Sequence, residues 1–174
     1  MGYGFDLKCA ECDYGLRVYI GAGFRYSPQA VFYGNSADPN KDWQGLQLDS
    51  ADSADREQPM LLALSRDQQT FDRAYSLIRA GARPKGRYGL SLYLCQQCGG
   101  LFNRFFFRLK TGGGLYEPDY WCPDCQKLLE QVDFDHNSTE LALVAMDDRS
   151  DLEWHCPHCG GSRLLREGNR FLWN

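Results

Sequence analysis

Apolar residues change their spacing several times along the chain, and each change predicts a different element. Residues 16–26, LRVYIGAGFRY, are rich in β-branched and aromatic side chains, which predicts a strand broken at Gly21–Gly23. Gly21-Ala22-Gly23 is not a dinucleotide loop, because Tyr26 stands in the place of the third glycine and no clear helix start follows it. Residues 35–58 are polar and acidic and predict a long exposed loop. The apolar run PMLLAL, 59–64, is too short to assign. Helical spacing follows: Phe71, Ala74, Tyr75 and Ile78 share one face, an apolar stripe suited to core packing. Ser65 and Gln68 have the spacing of a capping box, Asp67 adds charge to the first turn, and Gly81 is the stop with Pro84 just beyond.

Further on the spacing becomes that of a strand. In NRFFFRLK, 103–110, alternation puts Phe105, Phe107 and Leu109 on one face, toward a core. The same alternation puts Arg104, Phe106 and Arg108 on the other, facing outward. A glycine turn, TGGG, and a return segment, LYEPDYW, come next. TELALVAMDD, 139–148, reads equally as a strand or a short helix. SRLLREGNRFLWN, 162–174, reads as a hairpin around Glu167–Gly168.

Composition places this pattern in a folded chain. The 174 residues are 43% hydrophobic and 14% aromatic, enough for a real core in one domain or two small ones. No apolar run approaches the length of a membrane span. MGYGFDLKCAEC reaches charge and cysteine too early for a secretory signal, and Asp6 stands where a myristoylation signal has Ser or Thr. The expectation is a soluble cytoplasmic protein, where thiols stay reduced.

The 8 cysteines form four Cys-x-x-Cys pairs: Cys9/Cys12, Cys95/Cys98, Cys122/Cys125 and Cys156/Cys159. Such a turn points two sulfurs at one ion, and thiolates in fours suit tetrahedral zinc, or iron in the same cage. Four pairs make two complete sites, so the cofactors expected are two Zn²⁺. The residue after the second cysteine is suited to positive φ, which Gly99 and Gly160 adopt without strain, Asp13 tolerates, and Gln126 fits worst. A redox motif of thioredoxin type requires a strand–helix–strand context, which none of the pairs has. A histidine ligand would have to come from His136, His155 or His158, of which the last two lie in or beside a knuckle.

Between Cys98 and Cys122 lie an aromatic strand, a glycine turn and a return segment. Knuckle, hairpin, knuckle resembles the zinc ribbons of the rubredoxin-like knuckle class. LKCAECDYGLRVYIGAGF is also similar to the opening of small uncharacterised bacterial zinc-ribbon proteins. On the ribbon resemblance, Cys95/Cys98 joins Cys122/Cys125, and Cys9/Cys12 joins Cys156/Cys159 in a nested arrangement. Sequential pairing, Cys9/Cys12 with Cys95/Cys98 and Cys122/Cys125 with Cys156/Cys159, is the competitor. The expected fold is a small metal-stabilised α+β chain of two zinc-ribbon-like β lobes with a helical insertion. Residues 1–34 and 135–174 form the outer lobe, 35–91 the acidic loop and helical insertion, and 92–134 the inner ribbon.

Charge adds one feature. The net charge is −4, yet no Asp or Glu occurs from Arg73 through Tyr116. Arg83, Lys85, Arg87, Arg104, Arg108 and Lys110 fall in that stretch, with Phe106 among them. These seven residues are the candidates for a nucleic-acid surface, the cations for phosphate and Phe106 for stacking on a base. The competing accounts are internal neutralisation by the acidic residues from Glu117 onward, and an acidic protein partner. No Ser–His–Asp pattern, phosphate loop or HExxH helix is present, and a closed four-thiolate site has no open position for catalysis. The expectation is a binding module or adaptor of a larger bacterial assembly and not an enzyme.

Overall fold

Three small antiparallel sheets carry the chain, and a glycine contact joins two of them. The computed structural model describes residues 2–23, 28–33, 60–132, 155–161 and 164–173. The expected loop at 35–58 lies outside these residues, as does the segment 139–148. In chain order the elements are β1 (Gly2–Cys9), β2 (Gly15–Ile20), α1 (Pro28–Tyr33), α2 (Met60–Ser65), α3 (Gln68–Arg79), β3 (Arg83–Pro84), β4 (Gly89–Leu94), β5 (Leu101–Phe106), β6 (Leu109–Thr111), β7 (Gly114–Tyr116), β8 (Glu130–Gln131) and β9 (Leu164–Trp173). The strand orders are β2-β1-β9, β5-β4-β8 and β3-β6-β7.

The first sheet is built on β1, which pairs with β2 from Tyr3↔Ile20 to Lys8↔Gly15 and with β9 along its other edge. The predicted terminal hairpin is not formed: Leu164–Trp173 is one continuous strand. Its partners run from Cys9↔Leu164 to Gly2↔Trp173, with a shift between Gly4 and Asp6. The Glu167–Gly168 turn signal therefore marks a bulge, where extra residues are accommodated in a long strand. A free β1 edge offered more hydrogen bonds than a local turn. Gly4 lets Phe171 lie on β1, since a Cβ there would stand 2.5 Å from that ring.

The helical region differs from its sequence reading at its start. Residues 60–65, unassignable from sequence, form α2, and Arg66 turns the chain at φ +52°. Asp67, not Ser65, is the cap of α3, and its carboxylate accepts the Thr70 N–H at 2.6 Å. Ser65 is buried at the end of α2, and Gln68 donates to Asp72 at 2.8 Å. At the other end Gly81, at φ +93°, stops the helix as expected, with Gly81 N–H on the Ile78 carbonyl and Ala82 N–H on that of Leu77.

Three cores follow from this layout. Phe71, Ala74 and Ile78 of α3 pack with Leu61 and Leu64 of α2 and with Phe32 against Phe105, Phe107 and Leu109. The core side read from sequence is correct: those three residues are buried. A second core, Phe5, Leu7, Val18, Ile20, Leu92 and Leu101, lies between β1–β2 and β4–β5. A third, Tyr93, Tyr120 and Leu129, surrounds Cys95 and Cys122. Tyr120 is fully buried, and its hydroxyl donates to the Phe105 carbonyl at 2.8 Å.

A narrow seam joins the first two sheets. Gly21 and Leu90 exchange two backbone bonds of 2.8 and 2.9 Å. Beside them the Asn103 amide accepts the Tyr19 N–H and donates to the Tyr19 carbonyl. Gly89, at φ +150°, lies so close that a Cβ would stand 2.5 Å from the Gly21 carbonyl carbon. Replacing Gly89 by Ala is expected to cost about 1–3 kcal/mol, the scale of a forced backbone shift. Gly112→Ala, in open space, is the neutral control. Denaturation midpoints of the metal-loaded variants check the contrast.

Candidate metal centres and basic surface

Each Cys-x-x-Cys pair sits in a tight turn. In every knuckle the first cysteine's N–H reaches a carbonyl five residues on: Cys9 to Tyr14, Cys95 to Gly100, Cys122 to Lys127 and Cys156 to Gly161, at 2.7–2.9 Å. In three of them the residue after the second cysteine donates back to the first cysteine's carbonyl, namely Gly99, Gln126 and Gly160. All three have positive φ. Gln126, the worst fit by sequence, takes that conformation at φ +54°, and its side-chain amide donates to the Pro123 carbonyl at 3.1 Å. Asp13 does not take it, and the first knuckle lacks the return bond. The first knuckle is instead closed by the flanking β1–β2 pair Lys8↔Gly15 and by the Cys9 N–H on the Tyr14 carbonyl.

The knuckles meet in the nested pairing. Cys9, Cys12, Cys156 and Cys159 form one group, Cys95, Cys98, Cys122 and Cys125 the other, and within each group all sulfurs lie within 4.8 Å of one another. The contacts across the knuckles are Cys9–Cys159 3.7 Å, Cys12–Cys156 3.7 Å, Cys98–Cys122 3.7 Å and Cys95–Cys125 3.3 Å. Sulfurs about 2.3 Å from a tetrahedral ion lie about 3.8 Å apart, so both cages have the size the donor set requires. All eight thiols are free of disulfides. Of the candidate histidines, His155 and His158 belong to neither group, and His136 lies outside the described residues.

Burial grades the ligands. The first cysteine of each pair is buried, and the second is partly or fully exposed. Backbone N–H groups turn onto the sulfurs: Glu11 N–H lies 3.3 Å from Cys9 Sγ and Gly161 N–H 3.4 Å from Cys159 Sγ. At Cys95, desolvation raises the thiol pKa, but N–H groups of Cys98 and Gln97 and the Cys125 thiol outweigh it and bring it down to about 7. Cys156 behaves alike: desolvation is outweighed by N–H groups of Cys159 and His158 and by the Cys12 and Cys9 thiols, giving about 7. One sulfur in each cage is thus disposed to be a thiolate, the form that binds metal. The cages are closed, which suits a structural ion.

No family model, curated protein or solved structure matches this chain.

The basic candidates divide between two places. β3 and β6 pair Arg83↔Lys110 and Pro84↔Leu109. Lys85 N–H donates to the Arg108 carbonyl at 2.9 Å, which continues the register. Arg83/Lys110 and Lys85/Arg108 are therefore successive cross-strand pairs on one face, with buried Leu109 on the other. Pro84 falls at the position that needs no ladder N–H. Arg87 and Arg108 lie over the Phe106 ring, with guanidinium carbons 5.7 and 5.2 Å from its centroid. Phe106 is only 5% exposed, so the outward-facing ring expected from alternation is not found. β5 ends at Phe106, and two guanidinium groups cover the ring. Arg104 stands apart: it is half-buried beside Phe102. Of these cations, Arg108 alone forms an ion pair among the described residues, with Glu117 at 2.6 Å. That pair is solvent-exposed and contributes little to stability.

Metal analysis of protein purified under reducing conditions should give two ions per chain. Cys12→Ser and Cys159→Ser should each remove the same ion, and Cys98→Ser and Cys125→Ser the other. Retention should fall as pH falls, since protons compete with metal for thiolates. Stoichiometry on native mass spectra at several pH values checks all three statements. Pairwise behaviour in any other combination would contradict the nested cages.

Proposed function

We propose that the chain is a binding module, not an enzyme, in which two structural zinc ions hold a basic surface that contacts nucleic acid. The observation that carries this reading is the β3–β6 ladder. Like charges directly opposite on a strand pair are destabilising. Here two such pairs follow each other, and among the described residues Glu117 is the one carboxylate paired to them. A row of phosphates is the partner that relieves this repulsion, with guanidinium groups as bidentate donors. Arg87 extends the row, held over Phe106 together with Arg108. Phe106 orients cations in this account and does not itself stack on a base. Zinc is the ion favoured for closed Cys₄ cages of this kind.

The alternative of a protein–protein adaptor has one specific observation behind it. Trp121 and Leu128, bridged at the foot of the Cys122–Cys125 knuckle, are 51% and 49% exposed. Large apolar side chains grouped at a surface mark contact sites.

Fluorescence anisotropy with a labelled single-stranded oligonucleotide, across a salt series, separates the two. Affinity should fall as salt rises, with a log–log slope of about −0.7 per phosphate contacted. Arg83→Ala and Lys85→Ala should each weaken all sequences alike and flatten the slope by about one contact. Phe106→Ala should lower stability and affinity together, since it removes the support under two arginines. Absence of binding to single and double strands at low salt would give the adaptor reading first place.

A further inference from the structure

A cleft between the α2–α3 turn and strands β2 and β5 belongs neither to the cages nor to the ladder. Its volume is about 720 Å³, within the range of small-molecule sites, several hundred to about 1,000 Å³. Leu64 and Leu101 give it apolar wall, Phe102 an aromatic ring, and Arg17, Arg66 and Arg104 reach its lining.

The three arginines are not equivalent. Arg17 is neutralised, its Nε and Nη2 donating to the Asp6 carboxylate at 2.8 and 3.1 Å. Arg66 and Arg104 form no ion pair among the described residues. Asp67, next in sequence, directs its carboxylate to the N-terminus of α3. Arg104 lies 5.4 Å over the Phe102 ring, with its Nη1 on the Asn103 carbonyl at 3.0 Å. Burial is the first cause that lowers the Arg104 pKa and the Arg66 charge adds to it, while Tyr120, Asp67 and Cys122 oppose. Arginine nevertheless stays protonated, so the cleft keeps a partly desolvated cation beside a second one.

Arg66 supplies an independent observation. Among the described residues the non-glycine positions of positive φ are Gln126, which closes a knuckle, and Arg66. Glycine would make the α2–α3 turn without strain. An arginine there keeps the strain and lines the cleft, the kind of backbone outlier that clusters at ligand sites.

We propose that this cleft binds a phosphate-bearing ligand with a planar aromatic part, of the size of a nucleoside monophosphate. The phosphate lies between the guanidinium groups of Arg66 and Arg104, and the aromatic part lies against Phe102 and the leucine wall. The chemistry is shared by a free nucleotide and by the 5′-phosphorylated end of a strand. The site is independent of the ladder.

Isothermal titration of the metal-loaded full chain tests it, with adenosine monophosphate, adenosine and inorganic phosphate as probes. Saturable binding is expected for the monophosphate, at least tenfold tighter than for either fragment. Arg66→Gly should leave the melting temperature unchanged or raised and weaken the monophosphate at least tenfold. Arg104→Gln should weaken it by a similar factor, and Lys85→Ala on the ladder should leave it unchanged. A 5′-phosphorylated trinucleotide that binds tighter than the monophosphate, with the gain lost in Arg66→Gly, identifies a strand end as the ligand, and one that binds more weakly identifies the free nucleotide. Either order supports the site. No saturable binding of the monophosphate or the trinucleotide would overturn the proposal, as would unchanged affinity in Arg66→Gly.

Discussion

Two groups of four sulfurs hold this chain together at points far apart in sequence. Cys9 and Cys159 are 3.7 Å apart in space, and 149 residues separate them along the chain. Closing so long a loop costs conformational entropy that no single hydrophobic contact offsets. A metal ion that binds only the assembled cage adds its binding free energy to folding. The first sheet depends on the same closure, because β9 follows directly from the Cys156–Cys159 knuckle and lies along β1, which leads into Cys9. The cage and the strand pairing therefore support each other: the cage sets the start of β9, and the ladder aligns the rest.

The inner cage acts over a shorter range. Cys95 and Cys122 are buried among Tyr93, Tyr120 and Leu129, so the ligands are part of a core. From this core β5 runs outward, and its end together with β6 receives the helices through Phe105, Phe107 and Leu109. The two lobes meet where Gly89 allows Gly21 and Leu90 to pair, and where Asn103 satisfies both backbone groups of Tyr19. That seam fixes the cleft, because Tyr19, Leu90 and Asn103 all belong to its lining. The knuckles also approach each other: a Cβ on Gly99 would lie 3.8 Å from the His155 carbonyl.

The placement of positive charge follows from this packing. Leu109 is buried, so its neighbours Arg108 and Lys110 must face solvent, and the register sets Lys85 and Arg83 opposite them. Repulsion along the ladder is tolerated because the buried face anchors the strands. Long arginine stems also cover apolar surface, here the Phe106 ring, while their charged ends stay in water. Arg104 has no such exit. It is held partly out of solvent on Phe102, where its charge acts on the cleft and not on the ladder.

Sequence alone determined what rests on short-range chemistry. The Cys-x-x-Cys spacing specified the ligands, because two sulfurs two residues apart can turn to one ion whatever the rest of the chain does. The spacing of Phe71, Ala74 and Ile78 showed α3 and its buried face, and the alternation of Phe105, Phe107 and Leu109 showed the core side of their segment. Tertiary structure decided what depends on partners distant in the chain. β1 was not foreseen, since Gly2–Cys9 becomes a central strand only by gaining neighbours on both edges. The Glu167–Gly168 signal became a bulge because β1 offered a longer ladder than a local turn could. The cap moved to Asp67 because α2 had already taken Ser65 into its last turn. Phe106 was turned from an open ring into a covered one by Arg87, nineteen residues earlier, and Arg108. The separation of Arg104 from the other cations has the same origin. Local spacing says which way a side chain leaves its strand, but what meets it there is set by register and packing between segments.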